Sequence, residues 1–337
     1  MEGRLLATAA HVRALAESHH AGDDATFRAA LADLIDSAGR LGDRSREVED
    51  LRRLLDVRRA STRPQAPAPP PAPTSVVQPR GELARVLTVS LPRTTLADLA
   101  LSGDVMTRLH RVLTEQRHAD TLRARGFDPL RKLLLVGPSG TGKSTTVEVL
   151  AAELALPVFS VRLDVFADLS AEDALTRLAL VFDLLAQSRG VCVFDDVDAL
   201  IDPDGGERSR TRLRDVLRAF TGHLEDDTST SLLVVTTNRP QLLERPVLRR
   251  FDTVLDYPLP SAGVVQEVVL RRLRGFDLST VEWPRVVSTA SGLSHEQVSA
   301  AAALAAKQCI LDGADQVETA SLLAALRERR QMLKMAP

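Results

Sequence analysis

An apolar run that leads directly into a glycine-rich turn is the feature that most constrains the fold of this chain. Residues 133–145 read Leu-Leu-Leu-Val-Gly-Pro-Ser-Gly-Thr-Gly-Lys-Ser-Thr, and they contain the phosphate-loop pattern GxxxxGK followed by Ser with no position missing. The glycines let the backbone curl until successive N–H groups face phosphate oxygens, and the following helix adds its positive end. The sequence therefore predicts a nucleoside triphosphate site between a buried strand and a helix.

The residues of this loop have different predicted tasks. Lys143 is placed to reach the β and γ phosphates, and the Ser144 hydroxyl is placed to hold Mg²⁺. The other predicted nucleotide-binding residues are Gly137, Pro138, Ser139, Gly140, Thr141, Gly142 and Thr145.

Strand-like and helix-like patterns alternate through residues 81–260, which predicts an α/β domain with a parallel sheet and helices on both faces. Ligands of such sheets bind at the carboxyl ends of the strands. Only helical patterns are readable in residues 261–337, which predicts an all-α lid domain. The predicted strands are 133–136, 157–163, 191–194, 232–235 and 253–257, and the predicted lid helices are 262–274, 282–290, 294–311 and 317–331.

The region before the α/β domain has a different composition. Residues 61–80 include seven prolines and few large apolar residues, so they are predicted to form an extended linker. Residues 1–60 carry apolar residues at helical spacing and are predicted to form a small helical N-terminal domain. A bundle of that size is only marginally stable alone, which suggests that it docks to a partner and recruits it.

Composition and charge limit the classes of partner. The formal net charge is −2, so the chain lacks the basic excess of a nucleic-acid-binding protein. Local basic stretches still allow contact with nucleic acid as an alternative. No apolar run approaches the roughly 18 residues of a membrane span, and the first residues lack a signal-peptide core. We therefore expect a cytoplasmic protein that does not engage a membrane. Cys192 and Cys309 lie within apolar patterns and are predicted to be core residues.

Two acidic residues follow a buried strand about 50 positions after the loop, in the stretch Val-Cys-Val-Phe-Asp-Asp. This stretch resembles the AAA+ ATPases, in which an apolar strand ends in Asp-Glu. The resemblance implies that Asp195 supports Mg²⁺ and that Asp196 replaces the glutamate that orients the attacking water. Aspartate is one methylene shorter, so its carboxylate would stop about 1.5 Å short of the usual position. Slow hydrolysis is therefore one expected outcome. Asp198 is predicted to have a structural or capping role.

Two later segments add to the same resemblance. The segment Leu-Leu-Val-Val-Thr-Thr-Asn-Arg-Pro is similar to the sensor-1 region of the family, in which Asn238 orients the attacking water or touches the γ-phosphate. Arg249 and Arg250 precede Phe-Asp and resemble arginine fingers, which act on nucleotide held by the neighbouring subunit. Two alternatives stay open: Asn238 turns the chain, and the arginines pair with surface carboxylates.

The resemblance covers roughly residues 95–331. No arginine occupies the sensor-2 position near Gly292 to Gln297, which matches the AAA subgroup, and His295 is expected near the ribose or adenine. Within this subgroup the chain is most similar to bacterial stand-alone AAA proteins that are often paired with a subtilisin-like serine protease. The resemblance implies ATP and Mg²⁺ as cofactors, a homo-oligomeric ring of six subunits, and a protein partner such as that protease.

Three functions are compatible with this resemblance. The first is an ATP-driven machine that remodels or regulates a partner protein in a bacterial defence-type or stability module. The second is a slowly hydrolysing scaffold that is switched by ATP, and the third is a DNA-handling AAA+ regulator. The absence of a recognisable DNA-reading motif favours the first two. Phe166, the only aromatic residue within residues 161–175, either packs in the core or lines a pore.

Overall fold

The computed structural model describes residues 78–201, 207–243 and 245–335. The predicted N-terminal domain and the linker up to residue 77 lie outside these ranges. Within them, no helix is long and apolar enough to cross a membrane.

Strands and helices alternate up to residue 256. The strands are β1 (Leu87–Ser90), β2 (Lys132–Val136), β3 (Val158–Val161), β4 (Val191–Phe194), β5 (Leu232–Thr237) and β6 (Thr253–Asp256). The helices of this part are α1 (Leu83–Val86), α2 (Gly103–Arg117), α3 (Ala119–Arg123), α4 (Lys143–Glu153), α5 (Leu163–Asp168), α6 (Ala171–Gln187), α7 (Asp198–Ile201), α8 (Glu207–Asp226) and α9 (Arg245–Leu248). Short 3₁₀ turns cover Leu96–Asp98 and Pro240–Leu242.

The six strands form one sheet in the order β1-β3-β4-β5-β2-β6. All neighbours from β3 to β6 run parallel, which confirms the predicted parallel sheet, whereas β1 pairs antiparallel with β3 at the edge. The sequence did not reveal β1, because a four-residue strand with one buried side chain carries little periodic pattern. The strand order places β2 beside β5, and β5 beside β4, so the ends of these strands meet at one edge.

Apolar side chains cover both faces of the sheet. In β2, Leu133 and Leu135 pack with residues of α2 and α4, while Leu134 and Val136 pack with residues of α6 and α8. This division follows from the alternation of side chains along a strand. Phe166 is fully buried in the cluster that contains Leu134 and Val136. Of its two predicted positions, core and pore, the structure therefore shows the core. Cys192 and Cys309 are also buried, as predicted.

The helices after the sheet pack around a third apolar cluster, which includes Val268, Val286, Val298 and Leu322. These helices are α10 (Ala262–Arg272), α11 (Trp283–Ala290), α12 (His295–Leu311) and α13 (Thr319–Met335). Helix α12 begins with a capping box, in which the Gln297 side chain accepts a hydrogen bond from the Ser294 N–H at 2.8 Å. This cap fixes where the helix starts, and that start lies beside the phosphate loop.

Candidate nucleotide-binding site

The phosphate loop packs so closely against the rest of the chain that some of its positions have no room for a side chain. The loop leaves β2 at Gly137, whose φ is +143° and where a Cβ atom would lie 2.2 Å from the Tyr257 carbonyl oxygen. The loop ends at Gly142, which has φ +100° and caps the N-terminus of α4. The left-handed backbone and the absent side chains bring the loop into the shape that the sequence motif predicts.

Gly140 lies where the loop contacts the helices α10–α13, which form the lid. Its φ is +73°, and a Cβ atom would lie 2.6 Å from Ser294 Oγ. The Glu296 N–H donates a hydrogen bond to the Gly140 carbonyl oxygen at 3.0 Å. The first turn of α12 therefore rests directly on the phosphate loop.

Gly140→Ala is expected to weaken nucleotide binding by about tenfold, because about 1.4 kcal/mol of loop distortion corresponds to that factor. The matched control is Gly313→Ala, since Gly313 has a similar φ of +68° but nothing within 4 Å of the place that a Cβ atom would take. Both variants carry the strain of the left-handed backbone, and only Gly140→Ala meets the lid. Titration with a fluorescent ATP analogue measures the difference. Equal affinities for the two variants would show that close packing at Gly140 is unimportant for binding.

Lys143 is held over the loop by three hydrogen bonds. Its Nζ atom donates to the carbonyl oxygens of Gly137 at 2.8 Å and Pro138 at 3.0 Å, and to Asn238 Oδ1 at 2.8 Å. Burial lowers the pKa of this ammonium group, and the nearby carboxylate of Asp196 opposes that shift. The charge of Lys143 is thus concentrated at the loop, where anionic phosphate groups would lie.

Asp195 lies beside Ser144, so the structure brings together the two residues to which the sequence assigns metal binding. The Ser144 hydroxyl donates to Asp195 Oδ2 at 3.3 Å, and the Thr236 hydroxyl donates to Asp195 Oδ1 at 2.5 Å. A hydroxyl and a carboxylate are hard oxygen donors of the kind that Mg²⁺ prefers. Two such groups are enough, because phosphate oxygens and water supply the other ligands of this ion. These residues therefore fit a nucleotide-bound Mg²⁺ ion.

Asp196 follows Asp195 in a left-handed backbone conformation, with φ +53°. Its N–H donates to Thr236 Oγ1 at 2.9 Å, and its carboxylate accepts a hydrogen bond from Asn238 Nδ2 at 2.6 Å. Partial burial raises the pKa of the Asp196 carboxyl, and the charge of Asp195 raises it further. Asn238 thus contacts the loop lysine through its oxygen and the second acidic residue through its nitrogen.

Asp198 holds the sensor-like asparagine in place. Its Oδ2 atom accepts the Asn238 N–H at 2.7 Å, and its Oδ1 atom accepts a hydrogen bond from the Thr237 hydroxyl. The structural role expected for Asp198 is therefore a specific one, since it fixes the end of β5. Sequence reasoning missed Thr236 and Thr237, and the one available signal was two consecutive threonines at the end of a buried strand.

The two predicted arginines lie apart from these residues. Arg249 is exposed in the turn after α9 and forms no ion pair with any described residue, whereas Arg250 pairs with Glu225 at 2.6 Å. Neither belongs to the described lining of the cavity beside the phosphate loop. The alternative of a surface ion pair thus applies to Arg250 in this structure.

That cavity measures about 640 Å³ and lies between the sheet and the lid. One side is formed by the phosphate loop with Asp195, Asp196 and Asn238, and the other by residues 97–101 with His295. Burial lowers the pKa of His295, so its ring is neutral at neutral pH. Sequence reasoning singled out neither residues 97–101 nor the lid arginines that also line the cavity, Arg271, Arg272 and Arg274.

Comparisons with known proteins identify a family domain in this chain. Residues 133–259 match the family model described as "ATPase family associated with various cellular activities (AAA)". The "Uncharacterized AAA family ATPase y4kL" of Sinorhizobium fredii is 27% identical over 326 residues, which cover 94% of this chain and 95% of that protein. ATP-dependent zinc metalloprotease FtsH 1 of Symbiobacterium thermophilum is 33% identical over 205 residues, which cover 58% of this chain. Since the match covers 34% of FtsH 1, the chain spans about a third of that protein.

Among solved structures, the AAA domain of FIGL-1 matches with a TM-score of 0.58 at 20% sequence identity. The match covers 72% of this chain and 86% of that one. At this level of identity the likeness shows a shared fold, with a mostly parallel sheet flanked by helices.

Proposed function

We propose that this chain, which carries an AAA ATPase family domain, binds and hydrolyses ATP with Mg²⁺ between the subunits of a six-membered ring. The cycle remodels or regulates a partner protein. One observation carries the proposal: Lys143, Ser144, Asp195, Asp196 and Asn238 converge beside the phosphate loop. Lys143 and Ser144 begin α4, after the loop that follows β2, and the other three residues follow or end β4 and β5, which are neighbours of β2 in the sheet.

Each of these side chains has a task in the proposed hydrolysis. Bound Mg²⁺ supplies charge neutralisation on the phosphate oxygens. Ser144 and Asp195 hold that ion, and Lys143 binds the phosphate oxygens by its charge. Asp196 orients the attacking water and receives its proton, while Asn238 fixes the position of both the water and the Asp196 carboxylate.

The position of the arginines supports assembly. Arg249 is exposed outside the described lining of its own subunit's cavity, so it is available to the nucleotide of a neighbour. Guanidinium groups suit this task because they remain charged and bind phosphate oxygens with two parallel hydrogen bonds. Arg250, held by Glu225, would support the turn that presents Arg249.

The identity of the partner rests on the sequence resemblance. We assign the N-terminal residues 1–60 to partner recruitment, and a subtilisin-like serine protease in the cytoplasm is the partner that the resemblance favours. A second candidate function is a scaffold that ATP assembles and that hydrolyses slowly. The shorter carboxylate of Asp196 favours this candidate, and the turnover number of the wild-type ring distinguishes the two.

ATP with Mg²⁺ is expected to convert the chain into a particle of about six times the subunit mass, as the proposed ring of six identical subunits requires. Light scattering after size exclusion measures this.

Asp196→Asn should keep the ring assembled for longer, because it retains an oxygen for Asn238 but cannot accept the proton. Asp183→Asn, at an exposed position on α6, is the matched control and should behave as wild type. A particle of unchanged mass with ATP bound would contradict the ring.

A further inference from the structure

We propose that Thr236 is a positioning residue that fixes the two carboxylates after β4 relative to each other and thereby sets the Mg²⁺ affinity of the site. This inference rests on the proposed function, because the cation concerned is the one bound with ATP. Thr236 belongs to β5, and its side chain is fully buried.

A single hydroxyl group makes both contacts. Thr236 Oγ1 donates its proton to Asp195 Oδ1 at 2.5 Å, and the same oxygen accepts the Asp196 N–H at 2.9 Å. The Thr236 carbonyl oxygen also accepts the Val197 N–H at 3.0 Å. Among side chains of this size only a hydroxyl combines a strong donor with an acceptor, so valine of the same shape could make neither side-chain contact.

These contacts decide where each carboxylate points. With Asp195 Oδ1 held by Thr236, the other oxygen, Oδ2, is directed toward the Ser144 hydroxyl at 3.3 Å. The hydrogen bond to the Asp196 N–H supports the left-handed backbone there, which directs the carboxylate of this residue to Asn238. Groups that orient a metal ligand in this way typically change metal affinity by about 10–100-fold when they are removed.

The register of the sheet explains why Thr236 reaches both acids. Strands β4 and β5 run parallel with Phe194 opposite Val235, so the next residue of β5 lies opposite the first residue after β4. A threonine in a buried strand is otherwise explained by its β-branched side chain, which favours strand structure. The test must therefore separate the hydroxyl from the shape.

Two substitutions make that separation. Thr236→Val keeps the shape and removes the hydroxyl, whereas Thr236→Ser keeps the hydroxyl. The readout is the Mg²⁺ concentration that gives half-maximal binding of a fluorescent, non-hydrolysable ATP analogue. Thr236→Val is expected to raise this concentration by about tenfold, and Thr236→Ser to stay within about threefold of wild type. Binding of the same analogue in the presence of EDTA should stay unchanged in both variants.

Ser231→Ala is the matched control, because Ser231 is fully buried just before β5, at the opposite end of that strand. Its hydroxyl donates to the Ser188 carbonyl oxygen at 2.9 Å and accepts the Gly190 N–H at 3.1 Å. Removing the Ser231 hydroxyl also takes two hydrogen bonds from the end of a buried strand. Ser231 lies at the end of β5 that is far from Asp195 and Asp196. We expect its half-maximal Mg²⁺ concentration to equal that of wild type.

Three results would overturn the role of Thr236: a wild-type Mg²⁺ requirement in Thr236→Val, the same increase in Ser231→Ala, or an equal loss of binding with EDTA. If Thr236→Val does not fold, as judged by circular dichroism, Thr236→Ala is measured in its place with the same expected increase. A wild-type chain that binds no nucleotide would instead overturn the proposed function. The failure of either proposal is therefore recognisable by itself.

Discussion

Lys143→Ala is expected to lower ATP affinity by at least about 100-fold, or roughly 3 kcal/mol, and to remove measurable hydrolysis. Lys143 is 6% exposed, and its ammonium group lies over the phosphate loop, held by Gly137 and Pro138. A charge in such a partly dry position interacts strongly with phosphate oxygens, and each charge-assisted hydrogen bond contributes about 1.5–3 kcal/mol. Fluorescent nucleotide titration and phosphate release measure the two effects.

The control for this variant is Lys307→Ala, which removes the same charge from an exposed position on α12. It should leave both measurements unchanged. Because Lys143 also contacts Asn238, the thermal unfolding of Lys143→Ala must be compared with that of wild type. A folded Lys143→Ala variant that binds ATP within about threefold of wild type would contradict the assigned role of the lysine.

Arg249→Ala is expected to reduce hydrolysis by about 1,000-fold while leaving nucleotide affinity unchanged, since arginine fingers contribute 10³–10⁵ in related phosphoryl transfers. The reason is its position: Arg249 is exposed and outside the described lining of its own cavity, so in the proposed ring it would contact phosphate across a subunit boundary. Arg125→Ala, at an exposed position after α3, is the matched control and should hydrolyse ATP at the wild-type rate.

Mixing two inactive variants tests action between subunits. Lys143→Ala subunits retain Arg249, and Arg249→Ala subunits retain the phosphate loop, so a mixed ring contains some complete sites. Random assembly of equal amounts makes about a quarter of the boundaries complete, and we expect turnover near that fraction of wild type. No recovery at any mixing ratio would place the action of Arg249 elsewhere.

The sequence was most informative where the chemistry is local along the chain. The phosphate loop could be read because its residues are contiguous, and the strands at 133–136 and 191–194 were visible as short apolar runs. The contacts of Thr236 with the acidic pair were not readable, because they depend on the register between β4 and β5. A surface ion pair of Arg250 was one of the open alternatives, but its partner Glu225 was not readable from the sequence, because the pair joins residues of different elements.

Asp196 shows how the backbone changes an interpretation based on side-chain length. From side-chain length alone, the aspartate carboxylate would stop about 1.5 Å short of the position of a glutamate carboxylate unless the backbone moves. In the structure the residue adopts φ +53°, a conformation that aspartate tolerates better than most residues, and its carboxylate contacts Asn238. No sequence pattern predicts this local backbone conformation or the contact with Asn238.

The hydrogen bond between Glu296 and Gly140 joins the first turn of α12 to the phosphate loop. A movement of the loop would therefore tilt the whole helix. Helix α12 has 17 residues, so it is about 25 Å long, and a tilt of about 5° at its start moves its far end by about 2 Å. Ile310 and Leu311, which are 62% and 80% exposed, lie at that far end. A small displacement of the loop would thus be magnified into movement of an apolar tip that a neighbouring molecule could contact.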